Sequence, residues 1–452
     1  MLSRLQFLRD RFRDEGYAKT AIIWHDQIFS YGWLIEAMDR WAAALAEQRI
    51  GAREIVSVTG DFSPNSTALM LALIELGCTV VPLTNTVANM RDEFLDTAQV
   101  TADVKLLPND TATFTRFQRT PSHPLYEKLW HKNRPGLVLF SSGSTGKSKA
   151  VLHDFENILQ KYKTPRQAKC TLAFLLFDHI GGVNTLLHVL SNGGTVVTVP
   201  DRSPATVCRA IESYKVQVLP TSPSFLNLLL LSGALEEFDL ASLETITYGT
   251  EVMPESTLQR VQAMFPTVRL HQTYGLSEVG ILRSKSESSS SLRIKIGGEG
   301  FDTRIVDGML QIKSASLMLG YLNASSPITE DGWFMTGDLV EEHNGYYRIR
   351  GRKSELINIG GEKVFPSEIE DVLCQMDGVV DAIVSGEPHA LLGNIVVVRV
   401  RLSTQESLAA FRKRMIIFCK VRLQAFKIPQ KVLISSKDLH GQRFKKIRSA
   451  EI

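Results

Sequence analysis

The sequence lacks the features that mark several classes of protein. Its five cysteines lie far apart, with no CxxC pair and no histidine at metal spacing, which argues against a disulfide framework and a zinc site. The longest apolar run, from Ala68, is interrupted by Glu75 and Gly77 and is too short for a membrane span of ~20 residues. The first sixteen residues mix Arg, Asp and Glu, so no signal peptide is expected. These absences predict a soluble, cytoplasmic protein.

An excess of charge of either sign is also absent. Fifty-one basic residues against 48 acidic ones give a net charge of only +3, which indicates neither a nucleic-acid partner nor a membrane partner. The 44% hydrophobic and 22% charged residues are typical of a globular protein. At roughly 100–200 residues per domain, the 452 residues predict two or three domains.

Segments with helical periodicity alternate with short β-branched runs up to about residue 350. Helices are predicted at residues 33–48, 64–76, 183–190 and 223–231, with another from Ala205. Strands are predicted at residues 54–58 and from Cys78, Thr195 and Gln217. This order predicts a layered α/β fold with strands buried on both faces. The serine-rich segment 284–291 is predicted to be a loop.

The pattern changes near Arg352. The segment YYRIRGRKSELINIGG, from Tyr346, predicts two strands across a charged turn, and PSEIEDVLCQM, from Pro366, has the proline and acidic residues of a helix start. Two strands, an amphipathic helix from Leu408 and a last strand from Lys431 follow. We therefore predict a large α/β domain over residues 1–352 and a small, mobile α+β domain over residues 353–452.

The segment LVLFSSGSTGKSKAVLH, residues 137–153, predicts a phosphate-binding loop. Glycine backbone N–H groups, hydroxyls and lysines after an apolar strand are the groups that bind phosphate. The nucleoside-triphosphatase pattern GxxxxGK[ST] fits less well, because Ser141 stands where it requires glycine and no helix start is evident after Lys147. A Ser/Gly turn without a ligand is the other alternative.

The loop resembles more closely the phosphate loop of the adenylate-forming superfamily, [ST]SG[ST]TGxPKG, from which SSGSTGKSKA departs at Ser148 and Ala150. Further motifs follow in the order of that superfamily: FDHIGG from Phe177, YGTEV from Tyr248, QTYGLSEVG from Gln272, MTGDLV from Met335, the hinge-like segment from Tyr346 and FKKIR from Phe444. These motifs cover essentially the whole chain. It is therefore identified as a member of the superfamily, which includes acyl- and aryl-CoA ligases, luciferases and the adenylation domains of peptide synthetases.

The resemblance implies a set of residues for ATP. They are Ser141, Ser142, Gly143, Ser144, Thr145, Gly146, Lys149, Thr250, Glu251, Tyr274, Ser277, Asp338 and Arg352. Tyr274 would stack on adenine, Asp338 would accept from the ribose hydroxyls, and Arg352 would contact ribose or phosphate. Glu278 would hold Mg²⁺ on the triphosphate. Taken singly, Tyr274 would be read as a core residue and Asp338 as part of a turn. Arg352 would be read as a surface charge and Glu278 as a helix cap.

The implied reaction has two halves. The carboxylate of an acid attacks the α-phosphate of ATP and expels pyrophosphate, and a thiol then captures the acyl-adenylate. The implied catalytic residues are Lys446, His179 and Glu278, with Lys446 orienting the carboxylate and the α-phosphate. Lys445 stands where the superfamily has glycine, so the register of this lysine could differ by one, and Ser354 replaces the usual hinge residue. A frayed basic tail is the structural alternative for Lys446.

The acid and the thiol acceptor are assigned only by resemblance. The acid pocket would include His179, Ser222, Tyr248, Gly249 and Gly280, and the loop of Gly360 and Gly361 would border the thiol tunnel. His179 favours a neutral acyl or aryl acid, while the adjacent Asp178 keeps an amino acid open. The acceptor would be CoA, which is favoured, or the phosphopantetheine of a separate carrier protein. A non-catalytic nucleotide-binding relative is a third alternative.

Overall fold

The computed structural model describes residues 3–141, 147–298, 300–441 and 446. The elements up to Ser141 are α1 (Gln6–Asp14), β1 (Thr20–Trp24), β2 (Gln27–Ser30), α2 (Tyr31–Glu47), β3 (Ile55–Thr59), α3 (Pro64–Leu76), β4 (Thr79–Leu83), α4 (Arg91–Thr97), β5 (Ala102–Leu106), β6 (Ala112–Arg116), α5 (Pro124–His131) and β7 (Gly136–Ser141). From Lys149 the elements are β8 (Lys149–Asp154), α6 (Phe155–Leu159), β9 (Cys170–Leu172), α7 (Ile180–Ser191), β10 (Thr195–Val197), α8 (Pro204–Tyr214), β11 (Val218–Thr221), α9 (Pro223–Leu231), α10 (Ala234–Glu237), β12 (Thr245–Tyr248), α11 (Glu255–Met264), β13 (Arg269–Gln272), β14 (Gly275–Leu276) and β15 (Gly280–Ile281).

Strands dominate the rest of the chain. Up to the predicted boundary they are β16 (Ser284–Ser286), β17 (Arg293–Ile296), β18 (Phe301–Val306), β19 (Met309–Ser314), β20 (Gly320–Tyr321), β21 (Phe334–His343) and β22 (Tyr346–Arg352). The last part contains β23 (Ile357–Ile359), β24 (Glu362–Val364), α12 (Pro366–Leu373), β25 (Val379–His389), β26 (Gly393–Leu402), α13 (Leu408–Lys420) and β27 (Lys431–Ile434).

Two sheets form the layers of the α/β part, the first mostly parallel and the second with as many antiparallel as parallel strand pairs. One has the strand order β13-β12-β11-β9-β10-β1-β2, and the other has the order β20-β8-β7-β4-β3-β5-β6. The central strands β3 and β4 pair in parallel and are buried along their whole length, as expected for parallel strands with both faces covered. The α/β fold class predicted from the sequence is confirmed.

Local sequence sets the ends of the helices. The Ser63 hydroxyl accepts a hydrogen bond from the backbone N–H of Ser66, Pro64 occupies the first turn of α3, and Gly77 ends the helix with a φ of 87°. Ser222 caps α9 in the same way. Because these caps can be read directly from sequence, the predicted helices at residues 64–76 and 223–231 coincide with α3 and α9.

An antiparallel sheet of order β16-β17-β22-β21-β19-β18 follows the parallel layers. Its edge strand β16 lies inside the segment that was predicted to be a loop over residues 284–291, so that prediction was wrong for Ser284–Ser286. Pairing with β17 supplies backbone hydrogen bonds that the serine-rich pattern does not reveal. The same sheet places Asp338 on β21 opposite Arg352 on β22.

The small C-terminal domain is a sheet of order β24-β23-β26-β25, with β27 beside β26, packed on α12 and α13. The two strands predicted across a charged turn are β22 and β23, and they belong to different sheets. The exact boundary at Arg352 stays a prediction; β22 ends at this residue and the next sheet begins at Ile357. Within the described ranges, none of the helices combines the length and apolar character that crossing a bilayer requires.

Candidate active site

Asp338 lies at the centre of a buried polar network. The Tyr274 hydroxyl donates a hydrogen bond to Oδ2 of Asp338 over 2.6 Å, and Nε of Arg352 lies 3.3 Å from Oδ1. Only 6% of Asp338 and 7% of Tyr274 are exposed. Burial raises the pKa of the Asp338 carboxyl, and the charge of Arg352 opposes this shift. The sheet register and the loop after β13 thus bring together three predicted nucleotide residues.

Glu278 and Lys149 adjoin this network through Tyr321. The Tyr321 hydroxyl donates to Oε1 of Glu278 over 2.6 Å, and Nζ of Lys149 lies 4.9 Å from the centroid of the Tyr321 ring. Burial raises the pKa of Tyr321, and the neighbouring Glu278 raises it further. The charge of Glu278 also acts on the pKa values of Asp338 and Arg352, so these charges form one connected cluster.

The two ends of the predicted phosphate loop lie directly opposite each other. Ser141 at the end of β7 is the cross-strand partner of Lys149 at the start of β8. The side chain of Asn323 holds the second strand, because it accepts from the backbone N–H of Ala150 and donates to the carbonyl of Ser148. The predicted phosphate contacts Ser142, Gly143, Ser144, Thr145 and Gly146 lie outside the described residues.

Polar atoms without partners gather at the carboxyl ends of neighbouring parallel strands. Among the described residues, the buried side-chain oxygens Oγ1 of Thr221, Oγ of Ser224, Oγ1 of Thr250 and Oε1 of Gln272 have no hydrogen-bond partner. Thr221 and Gln272 end β11 and β13, and both are cross-strand neighbours of Tyr248. Buried polar groups without partners are rare, and open α/β sheets bind ligands at this edge. The edge therefore has the hydrogen-bonding capacity of a ligand site.

The turn after β12 is strained at this edge. Thr250 has a φ of 74°, which is unfavourable for a β-branched residue, and such strain is concentrated at functional sites. Gly249 precedes it because a Cβ there would lie 2.6 Å from Oγ1 and 2.8 Å from the backbone oxygen of Thr273. The carboxylate of Glu251 accepts a hydrogen bond from the backbone N–H of Ser224 over 2.7 Å. Glu251 is thereby fixed at the start of α9.

Several residues predicted to contact the acid have structural roles. His179 caps α7, with Nδ1 accepting from the backbone N–H of Gly181 over 3.1 Å. Ser222 is fully buried as the cap of α9, and Tyr248 is only 1% exposed. Both side chains are closed to solvent in this structure, and the place of Ser222 and Tyr248 in the acid pocket stays a prediction. Gly280 has a φ of 77° beside Ile281 on β15, and its contact with the acid stays a prediction.

The structure does not bring Lys446 to the network around Asp338. Its Nζ lies 3.0 Å from Oε2 of Glu370 and 2.8 Å from the carbonyl of Ala382, inside the C-terminal domain. Gly360 and Gly361 form the exposed turn between β23 and β24. The roles of Lys446 in catalysis and of this glycine turn at a thiol tunnel stay predictions.

Sequence reasoning missed three residues of the site and its surroundings. Tyr321 joins Lys149 to Glu278, and Nε2 of the buried His153 lies 2.5 Å from the carbonyl of Ser277. Lys161 donates to the carbonyl of Ile281, next to the predicted acid pocket, over 3.0 Å. No local motif marks these residues.

The carboxylate of Glu278 is an oxygen ligand of the kind that Mg²⁺ prefers, but too few further ligands surround it to hold a metal ion. Among the described residues no group of three or more His, Cys, Asp or Glu side chains could hold a metal ion. Mg²⁺ is commonly bound by one or two carboxylates together with oxygens of a phosphate substrate. The site therefore fits a metal ion that arrives with a nucleotide rather than one held by the protein alone.

Comparisons with known proteins identify the family and the fold. The model of the AMP-binding enzyme family matches residues 8–322, and that of the AMP-binding enzyme C-terminal domain matches residues 368–445. The chain is 26% identical to an indoleacetate–CoA ligase of Aromatoleum aromaticum, over 94% of this chain and 92% of the relative. It is 25% identical to a 2-succinylbenzoate–CoA ligase of Listeria monocytogenes, over 93% of each chain. The crystal structure of the anthranilate CoA ligase AuaEII with anthranoyl-AMP has the same fold, with a TM-score of 0.82 and 18% identity over 98% of this chain and 95% of that one.

Proposed function

Because the chain belongs to the family of AMP-binding enzymes, we propose that it is an AMP-forming acid–thiol ligase. It activates a carboxylic acid with ATP and transfers the acyl group to a thiol. The network of Tyr274, Asp338 and Arg352, which continues to Glu278, carries this proposal. The buried Asp338 and Tyr274, with the partly buried Glu278 and the more exposed Arg352 beside them, form a group of opposite charges of the kind that marks a functional site.

The proposed nucleotide site uses the network directly. Asp338 accepts hydrogen bonds from the ribose hydroxyls while Arg352 compensates its charge, and the ring of Tyr274 stacks against adenine. The unpartnered oxygens at the ends of β11 and β13 supply hydrogen bonds to the base. Lys149 and the segment 142–146 bind the phosphates, and Glu278 is the carboxylate that a nucleotide-bound Mg²⁺ would meet.

The proposed reaction needs no nucleophile from the protein. In the first half, a carboxylate oxygen bonds to the α-phosphorus, the bond from that phosphorus to its bridging oxygen breaks, and pyrophosphate leaves with the electron pair. In the second half, the thiol sulfur attacks the acyl carbon, AMP leaves with the electrons of the acyl–oxygen bond, and the thiol proton passes to solvent. Catalysis then depends on orientation and on charge stabilisation at the phosphate.

A neutral acyl or aryl acid is the proposed substrate class. The resemblance assigns the half-buried His179, at the start of α7, to the acid pocket, and a histidine there is not a carboxylate that would pair with the ammonium group of an amino acid. The similar curated proteins are named for indoleacetate and 2-succinylbenzoate, which also supports an organic acid. An amino acid is the alternative substrate class.

CoA is the proposed thiol acceptor, because the similar curated proteins are CoA ligases. The exposed turn of Gly360 and Gly361, with φ angles of 58° and 95°, offers backbone without side chains where a narrow pantetheine arm could pass. The phosphopantetheine of a separate carrier protein has the same arm and is the alternative acceptor.

Acid-dependent exchange between ATP and labelled pyrophosphate tests the proposal. Purified protein is assayed against a panel of fatty, aryl and amino acids, and CoA is then added with the best acid. We expect exchange with an acyl or aryl acid, followed by formation of its CoA thioester. Exchange without CoA turnover would indicate a carrier protein, and a complete lack of exchange would favour the non-catalytic alternative.

A variant of Asp338 ties this activity to the proposed site. Asp338→Asn removes a charged acceptor, so we expect exchange to fall by roughly tenfold or more, the effect of losing a charge-assisted hydrogen bond. Asp302→Asn makes the same chemical change at an exposed position of β18 in the same sheet and should leave exchange unchanged. Equal exchange rates in the two variants would refute the assignment of Asp338.

A further inference from the structure

The turn that carries Glu278 is held by contacts from outside its own hairpin. Residues 277–279 join β14 to β15, and these two strands form a two-stranded sheet. A two-stranded hairpin is marginally stable by itself in water. Each of the three carbonyls of the turn accepts a hydrogen bond from another part of the chain. In chain order, the donors are Nε2 of His153, the backbone N–H of Met318 and the hydroxyl of Ser316. The position of Glu278 therefore depends on these three bonds.

His153 commits the proton of its ring to this turn. The residue is fully buried on β8, and its Nε2 lies 2.5 Å from the carbonyl oxygen of Ser277. Because a carbonyl oxygen only accepts hydrogen bonds, Nε2 must carry the proton. Burial lowers the pKa of His153, so the ring is neutral near pH 7 and has a single N–H. That N–H is directed at the residue immediately before Glu278.

Strand β8 contacts the same turn near both of its ends. Side chains at alternate positions of a strand share a face of the sheet, so Lys149 and His153, four positions apart, lie on the same face. At the first end, Nζ of Lys149 lies 4.9 Å from the centroid of the Tyr321 ring, whose hydroxyl donates to the carboxylate of Glu278. At the other end, His153 holds the carbonyl of Ser277. One strand thus connects the lysine of the predicted phosphate loop with the carboxylate of Glu278.

We propose that His153 is a positioning residue for Glu278, which it holds in a fixed place relative to Lys149 so that both side chains act on the triphosphate of ATP. This inference rests on the proposed function, in which Lys149 binds phosphate and Glu278 meets the Mg²⁺ of the nucleotide. His153 is buried and acts through the carbonyl of Ser277. AMP and an acyl-adenylate lack the β- and γ-phosphates. The contact of His153 is therefore needed for binding ATP with Mg²⁺ and for adenylate formation, but not for binding AMP or for acyl transfer.

Two variants of His153 test whether its hydrogen bond sets the first half-reaction. His153→Leu removes the donor, and His153→Gln keeps an amide N–H at the position of Nε2. In the leucine variant we expect the KM for ATP in adenylate formation to rise by roughly tenfold, the effect of losing one buried hydrogen bond. Acyl transfer from supplied acyl-adenylate should keep its wild-type rate, and the glutamine variant should recover most of the loss. Leu152→Ala is the matched control, since it truncates a fully buried side chain at the neighbouring position of β8 and should not separate the two half-reactions. An equal loss in both half-reactions of His153→Leu would overturn the proposal.

Calorimetric titration of the full-length protein gives a readout that needs no turnover. The wild-type protein and both His153 variants are titrated with ATP in the presence of Mg²⁺ and, separately, with AMP. We expect the Kd for ATP with Mg²⁺ to rise by roughly tenfold in His153→Leu, while the Kd for AMP stays unchanged. Equal weakening of both nucleotides, or of neither, would refute the positioning role.

A further variant covers the case in which His153→Leu does not fold. His153→Asn carries its amide one carbon short of the Ser277 carbonyl, and it then replaces the leucine variant in the comparison with His153→Gln. Absence of pyrophosphate exchange in the wild-type protein would refute the proposed function, and the titrations would still decide the role of His153.

Discussion

At the residue scale, the most unusual charged group outside the nucleotide network is Lys161. Its Nζ donates to Oδ1 of Asn184 and to the carbonyl of Ile281, and no ion pair to a carboxylate joins it among the described residues. Burial lowers the pKa of Lys161 to about 7, and the charge of Arg166 lowers it further. Burial also lowers the pKa of the neighbouring His188, to about 4. The surroundings of Lys161 and His188 therefore favour the uncharged form of both side chains.

Lys161→Met is expected to change the pH dependence of stability. The pKa of Lys161 is about 7 in the folded protein and about 10.4 in an unfolded chain. Between these values the unfolded chain binds a proton at this lysine that the folded chain does not, so the contribution of Lys161 to the stability of the wild-type protein rises with pH. Below about pH 7 Lys161 is protonated in both states, so the folded protein bears the full free-energy cost of burying its charge. Methionine carries no charge and removes this cost. Urea unfolding should show the variant gaining most, relative to wild type, near pH 6 and progressively less toward pH 10.

Lys163→Met is the control for this prediction, because it makes the same chemical change two residues away at an exposed position. Its stability relative to wild type should not vary over the same pH range. A constant difference between the Lys161→Met variant and the wild-type protein across that range would contradict the lowered pKa of Lys161.

At the scale of elements, the site is assembled from the ends of strands and the starts of helices. Tyr248 ends β12, Gln272 ends β13, and Ser222 and His179 cap α9 and α7. Strand ends release backbone groups and side chains from the sheet, and helix starts leave free N–H groups. Pairing of β12 with β11 and β13 brings the strand ends together, and the close approach of the turn after β12 to Thr273 leaves room only for glycine at residue 249.

Gly249→Ala is expected to displace this turn. The new Cβ would lie 2.6 Å from Oγ1 and 2.8 Å from the backbone oxygen of Thr273, so the backbone has to move. Overpacking of this kind costs about 1–3 kcal/mol, and ATP affinity should fall because Thr250 and Glu251 move with the turn. Urea denaturation and calorimetric titration with ATP measure the two effects. Gly51→Ala, at a position with no atom within 4 Å of the added Cβ, should change neither; a Gly249→Ala protein with wild-type stability and affinity would contradict the steric argument.

At the scale of the whole molecule, the two domains meet through a few polar contacts. Asn227 donates to the carbonyl of Val380, and the hydroxyl and backbone N–H of Ser256 donate to Asp371. Polar junctions of this kind allow relative movement of domains. Lys446 belongs to the C-terminal side of this junction, so its function depends on the position of the whole domain.

Lys446→Ala is expected to separate binding from chemistry. Loss of a group that stabilises charge at the α-phosphate should lower acid-dependent pyrophosphate exchange by roughly a hundredfold or more, while ATP binding persists. The variant also leaves Glu370 and Asp381 without their cation, which should lower the thermal midpoint of the C-terminal domain. Lys437→Ala, a nearby exposed lysine, should alter neither quantity. If the Lys446→Ala protein exchanged pyrophosphate at the wild-type rate, the catalytic assignment of Lys446 would be refuted. Lys445 would then be the next residue to substitute.

The sequence by itself determined the elements and the motifs that lie within one segment. Caps such as Ser63 and Ser222 set helix starts, β-branched runs such as that of β4 set buried strands, and the order of the motifs identified the family. It also identified Tyr274, Asp338, Arg352, Glu278 and Lys149, which the fold brings into one cluster. These features depend on short-range preferences and on residue chemistry, both of which are present in the chain before it folds.

Only the tertiary structure decided which partners these residues have. Tyr321 meets Glu278 across 43 positions of sequence, and Lys446 meets Glu370 across 76. Ser284–Ser286 became a strand because β17 was available for pairing. The closure of Ser222 and Tyr248 to solvent likewise follows from packing. Such contacts join residues far apart in the chain, and their energies depend on burial, which exists only once the sheets and helices have packed together.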